Sequence, residues 1–202
     1  LTSRMITPDF LAPFFQRALP YDAYVRSGTP DQQASWNAFH ARIRLSTAQA
    51  DLVRSFSRRI NLLVISGHWC GDCVQQCPIL DHLARTKPAD RSSPHAPGVD
   101  LRFIDRDQAI DLSNAVKICG GNRVPTALFL NEDLEFLALA GDKSLSRLRA
   151  LALRQLGASC ALPGASLPED ELAQTIQDWA NDLERAHLIA RLSAKLRQRH
   201  QD

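Results

Sequence analysis

Two cysteines separated by two residues, in the stretch Trp69-Cys70-Gly71-Asp72-Cys73, are the pair in this chain best spaced to do chemistry. They follow the apolar run Leu62-Leu63-Val64-Ile65. A buried strand that ends in a tight turn and opens a helix would place Cys70 at the helix N-terminus, where unpaired backbone N–H groups and the macrodipole favour negative charge. That favours thiolate, the species that attacks a disulfide. Cys73 follows about one helical turn later, close enough to form a disulfide with Cys70, and less exposed, as suits a resolving thiol. Such exchange needs access to a partner and no cofactor.

The same spacing admits a second chemistry. His68, Cys70, Cys73 and Cys77 form an H-x-C-x-x-C-x-x-x-C series of zinc-competent ligands. Structural zinc sites gather ligands from two separated segments, and all four residues here fall in one, so no metal ligands are expected. A third class is a binding scaffold in which the dithiol is incidental. The surroundings choose among the three. Pro78 lies five residues after Cys73, Val124-Pro125-Thr126 precedes the apolar run Ala127-Leu128-Phe129-Leu130, and Gly141 follows the last strand-like run. Together these resemble the thioredoxin superfamily over about residues 60–157. The resemblance implies a thiol–disulfide oxidoreductase, with Cys70 as nucleophile and Cys73 as resolving thiol. It also implies a cis bond at Pro125 that sets the Val124 backbone beside the dithiol to pair with a client strand, and Trp69 shaping the docking face.

Several residues depart from that pattern. Asp72 stands where the family usually carries proline, and its carboxylate would repel a Cys70 thiolate while also suiting a helix N-terminus. His68 could stabilise the thiolate or relay a proton. The family's buried aspartate, six residues before the first cysteine, is Val64 here, and its companion lysine is Leu101. Proton transfer would then fall to water, His68 or Asp72. Cys77 shares a helix face with Cys73 and Cys119 lies just before Pro125, and each reads as a small buried hydrophobe; Cys160 lies in a loop beyond the core with no evident partner.

The elements that must position these residues follow from caps and periodicity. Thr29-Pro30-Asp31-Gln32 and Ser46 with Gln49 have capping-box spacing, and Thr7-Pro8 introduces a third helix start, so residues 1–59 form a helical N-terminal extension. Strand-like runs fall at about 61–66, 100–105, 125–131 and 134–140, with Asn131-Glu132-Asp133 as a turn and helices at about 70–85 and 107–117. The order βαβαββα gives an α/β fold, a thioredoxin-like mixed sheet with helices on both faces. A closing helix over 144–156, stopped by Gly157, would lay Leu145, Leu148, Leu151 and Leu156 on the sheet. Residues 158–202 then hold a linker and a long C-terminal helix from Ser166, with Leu172, Ile176, Trp179 and Leu183 on one face, as a brace or a homodimer surface.

The chain of 202 residues is 45% hydrophobic and 23% charged with a net charge of +2, so no broad electrostatic case arises for nucleic acid or an anionic membrane. No apolar run approaches the ~20 residues that span a bilayer. The first residue is Leu1, so Met5 as a start, or a processed chain, is the expectation. Five cysteines, an odd number, argue against a disulfide-stapled secreted scaffold and for a reducing, cytoplasmic site. The expected partners are protein disulfide clients and an electron donor, either a thioredoxin-reductase-like enzyme or a small thiol.

Overall fold

A computed structural model describes residues 6–93, 95–156 and 170–201. The N-terminal extension holds four helices, α1 (Pro8–Arg17), α2 (Tyr21–Arg26), α3 (Pro30–His40) and α4 (Thr47–Arg54). Their starts are set by side chains read directly from sequence. Thr7 accepts from the Phe10 N–H, and Thr29 with Gln32 and Ser46 with Gln49 form reciprocal capping boxes. The α2 helix was not expected from sequence, because six residues span too few turns for a periodic stripe to show.

The sheet follows, built from β1 (Arg59–Ser66), β2 (Gly98–Asp105), β3 (Thr126–Leu130) and β4 (Phe136–Gly141), with α5 (Gly71–Thr86) between β1 and β2 and α6 (Ile110–Ala115) between β2 and β3. Strand order is β2-β1-β3-β4. β1 runs parallel to β2 and antiparallel to β3, and β3 runs antiparallel to β4. Every position of β1 and of β3 is buried, as in strands covered on both faces, including the polar Arg59, Asn61, Ser66 and Thr126. The outer edge of β2 is blocked by single bridges from Leu19 to Phe103 and from Pro88 to Val99, which leaves little of that edge open to another chain. The expected helix over 107–117 is shorter, because residues Arg106–Gln108 form a 3₁₀ turn before α6 begins.

The helix that covers the sheet is not the one its sequence position suggests. After β4 come α7 (Leu145–Leu156), α8 (Glu171–Leu192) and α9 (Ala194–His200). It is α8 that packs on β1, β3 and β4 and also on α4 and α5. Its Ile176, Trp179, Ala180, Leu183, Ala186 and Ala190 are all buried. The α7 stripe expected on the sheet is not there: Leu145, Leu148 and Leu156 are exposed, and α7 packs against α8. Both helices carry an apolar stripe, but α8 combines three alanines that permit close approach with a tryptophan that fills the space, so it wins the buried position. The long C-terminal helix is also interrupted. Ser193 takes an extended backbone and caps α9 through Leu196 N–H. The expected stop at Gly157, the start at Ser166 and Cys160 lie outside the described residues.

Truncating Trp179, 1% exposed, to alanine should therefore cost about 3–5 kcal/mol in denaturant unfolding, the range for a large buried aromatic. Leu153→Ala on exposed α7 should change stability by no more than about 0.5 kcal/mol. Comparable losses at the two positions would show that α7 shares the sheet.

Candidate active site

The backbone turns at the end of β1, with the Cys70 N–H bonding the Gly67 carbonyl at 3.0 Å, and the Cys70 carbonyl then accepts from Val74 N–H at 3.0 Å. Cys70 is thus the N-cap of α5, with extended φ and ψ of −85° and 119°. It is half-buried, whereas Cys73 is fully buried and both thiols are free. The Cys70 thiol lies 3.5 Å from the Val124 carbonyl oxygen, to which it donates. The Val124–Pro125 peptide is cis, and β4 passes close behind it: a Cβ at Gly141, where φ is +128°, would strike the Pro125 carbonyl oxygen. Only glycine fits there.

The loop ahead of Cys70 is fixed by the N-terminal extension. Trp36 Nε1 of α3 donates to the His68 carbonyl at 3.2 Å. The His68 ring stacks on Tyr24 of α2 with centroids 4.1 Å apart, and its Nε2 donates to the Tyr24 carbonyl at 2.7 Å. Nδ1 lies 3.9 Å from an Asp105 carboxylate oxygen. Gly28 is required beneath this ring, since a Cβ there would come within 2.8 Å of the His68 side chain. Trp69, by contrast, is 56% exposed, with the Arg106 guanidinium 4.7 Å from its ring centroid, a cation–π pair on the rim beside the dithiol.

Asp72 is held by two cations from the segment after β4, Lys143 at 2.8 Å and Arg147 at 3.1 Å. The repulsion expected between its carboxylate and a Cys70 thiolate is therefore largely offset. Burial pulls the Lys143 pKa down, but Asp72 and Asp142 together outweigh it and hold the pKa above its ordinary value. One turn inside the helix, buried Gln76 was not singled out from sequence. Its amide donates to the Asp142 carbonyl at 2.9 Å, and its oxygen accepts from Ser144 N–H and from Trp179 Nε1, each at 3.2 Å. The only sequence signal was a polar residue between two buried cysteines. Cys77 is buried 3.6 Å from the Ser66 hydroxyl, as a small hydrophobe should be, whereas Cys119, expected to be buried, is exposed on a turn with a left-handed φ of 49°. Among the described residues no three His, Cys, Asp or Glu side chains converge as a metal site, so His68 does not join the three cysteines as a ligand set.

A family profile described as thioredoxin matches residues 18–142. The chain belongs to the thioredoxin family. Among solved structures it is similar to a Pseudomonas aeruginosa protein of unknown function, with TM-score 0.64 and 23% identity over 87% of this chain and 97% of that one. It is also similar to an HIV epitope-scaffold, with TM-score 0.59 and 22% identity over 91% of this chain and 98% of that one. These likenesses are of fold. No curated protein matches the chain.

Within this thioredoxin-family site the thiol electrostatics differ from the sequence expectation. The hydrogen bond that Cys70 shares with Cys73, and then burial, push the Cys70 pKa up; backbone N–H groups of Cys73 and Asp72 pull it down without reversing the direction. Burial pushes Cys73 up as well. Helix-start donors are in place, but two close thiols in a poorly hydrated site compete for one negative charge. Val64 and Leu101, in the positions of the family's aspartate and lysine, are both buried on the sheet, so no carboxylate from β1 assists ionisation. Alkylation of the reduced protein should consequently keep accelerating as pH rises past the ordinary thiol value of about 8.5. A rate of iodoacetamide reaction that levels off below pH 8 would contradict this.

Proposed function

We propose that this thioredoxin-family chain is a thiol–disulfide oxidoreductase, acting as a disulfide reductase on protein or small-molecule disulfides in a reducing compartment such as the cytoplasm. One observation carries the reading: a half-buried thiol at the N-cap of α5, facing the Val124 carbonyl, with a buried free thiol in the next turn. In the forward direction the Cys70 thiolate attacks a client disulfide. One client sulfur leaves with the electron pair and takes a proton, and the other stays bonded to Cys70. Cys73 then attacks the Cys70 sulfur, forming the internal disulfide and releasing the second client thiolate. Two electrons pass from the protein to the client. Trp69, exposed on the rim, and the Val124 backbone supply the docking surface for an extended client segment.

Asp72 and His68 enter this scheme differently. Asp72, neutralised by Lys143 and Arg147, fixes the turn between the cysteines. His68, tied through Nε2 to Tyr24, leaves Nδ1 toward Asp105. Its part in the reaction is to hold the backbone that leads into Cys70.

Cys70→Ser should abolish reduction of a disulfide substrate. Cys73→Ser should accumulate a mixed disulfide on Cys70 that mass spectrometry reads as a client adduct, because the attacking thiol remains and its resolver is gone. Adducts on Cys73 in the Cys70→Ser protein, in equal yield, would overturn the assignment of roles.

A further inference from the structure

A cleft of about 420 Å³ opens between α3, α5, α7 and the start of α8, lined among others by Phe39, Arg42, Val74, Gln75, Arg147 and Glu171. Its floor is the helix that begins at Cys70. The Val74 N–H bonds the Cys70 carbonyl, so Val74, which lines the cleft, lies one turn along α5 from Cys70. The N-terminal extension supplies one wall and α8 the other, which makes the cleft a product of the flanks that enclose α5.

Its size lies in the range of small-molecule sites, about 300–1,000 Å³, and is too small for a folded partner. Its charges select the occupant. The Arg42 guanidinium lies over the Phe39 ring, 5.1 Å from the centroid, and among the described residues no carboxylate pairs with it. Arg147 is shared between Asp72 at 3.1 Å and Glu171 at 3.7 Å, yet its buried Nε has no acceptor. The lining thus carries two guanidinium groups against one carboxylate, with one cation fully available to an anion. Phe39 and Val74 supply apolar contact beside it.

We propose that this cleft seats a small peptide thiol bearing a free carboxylate, held by Arg42, which reduces the Cys70–Cys73 disulfide as the chain's electron donor. The proposal rests on the redox reading above and decides between its two classes of donor. The thiolate of the bound molecule attacks the Cys70 sulfur, and the Cys70–Cys73 bond breaks as the new S–S bond forms. Cys73 leaves with the electron pair and takes a proton. A second thiol attacks the small-molecule sulfur of the mixed disulfide, freeing Cys70 and releasing a small-molecule disulfide. Two thiols have then delivered two electrons.

The test follows reduction of the oxidised full chain by tryptophan fluorescence, with Trp69 beside the dithiol as reporter, using glutathione as the carboxylated probe and 2-mercaptoethanol as the uncharged one. The wild type should saturate with glutathione and respond linearly to 2-mercaptoethanol. Arg42→Ala, at an exposed side chain, should lower the glutathione efficiency about tenfold or more, the loss expected of a charge-assisted hydrogen bond. It should leave the 2-mercaptoethanol rate unchanged, and Arg42→Lys should recover part of the loss. An Arg42→Ala protein that loses nothing, that loses equally with both thiols, or that is matched by Arg26→Ala at an exposed position of α2 would overturn the cleft proposal while leaving the redox reading intact. If neither thiol reduces the oxidised protein, the redox reading falls and this proposal falls with it.

Discussion

The constraint on which the site depends is the fixing of the backbone just before Cys70. A thiol at a helix start can be aimed only if the turn feeding that helix has a single conformation, and here the turn is clamped from outside the sheet. Trp36 holds the His68 carbonyl while Tyr24 stacks on the His68 ring and accepts from its Nε2. Those residues belong to α3 and α2, so the N-terminal extension is part of the site's scaffold. The His68 carbonyl satisfies the indole N–H of buried Trp36, and truncating Trp36 would leave that carbonyl without this partner, at a cost of about 1–3 kcal/mol.

The opposite side of α5 is held by an equivalent set of polar contacts. Gln76 bonds the Asp142 carbonyl, the Ser144 N–H and the Trp179 indole, joining α5 to the loop after β4 and to α8. Asp178 of α8 accepts from both the backbone N–H and the hydroxyl of Ser146, at 2.7 and 2.6 Å, and so fixes the start of α7. That placement brings Arg147 and Lys143 onto Asp72 between the two cysteines. The C-terminal helix therefore helps place the cations that pair with Asp72 between the two cysteines. Packing, loop position and site charge form one connected arrangement around α5.

The features legible in the sequence are those encoded locally. Both capping boxes, the four strand runs and the W-C-x-x-C turn are written within a few residues each, and the structure forms each of these elements. What was not legible depends on contacts between distant segments. The stripes of α7 and α8 compete for one sheet face, and the winner is decided by close approach at Ala180, Ala186 and Ala190, which periodicity does not measure. Asp72 shows an isolated carboxylate in sequence; its partners lie about seventy positions away. The direction of the Cys70 shift was misjudged for the same reason. The helix N-terminus is a local signal, whereas the hydrogen bond with Cys73 and burial arise only once the core has closed.

The most direct test of the central claim is to equilibrate the full chain in glutathione buffers of graded redox poise, quench in acid, unfold, alkylate and read each cysteine by mass. If Cys70 and Cys73 form one redox couple, they should lose and regain their labels together in a single two-electron transition, with Cys77 labelled throughout. Cys70 passing only to a glutathione adduct while Cys73 stays labelled at every ratio would contradict the account.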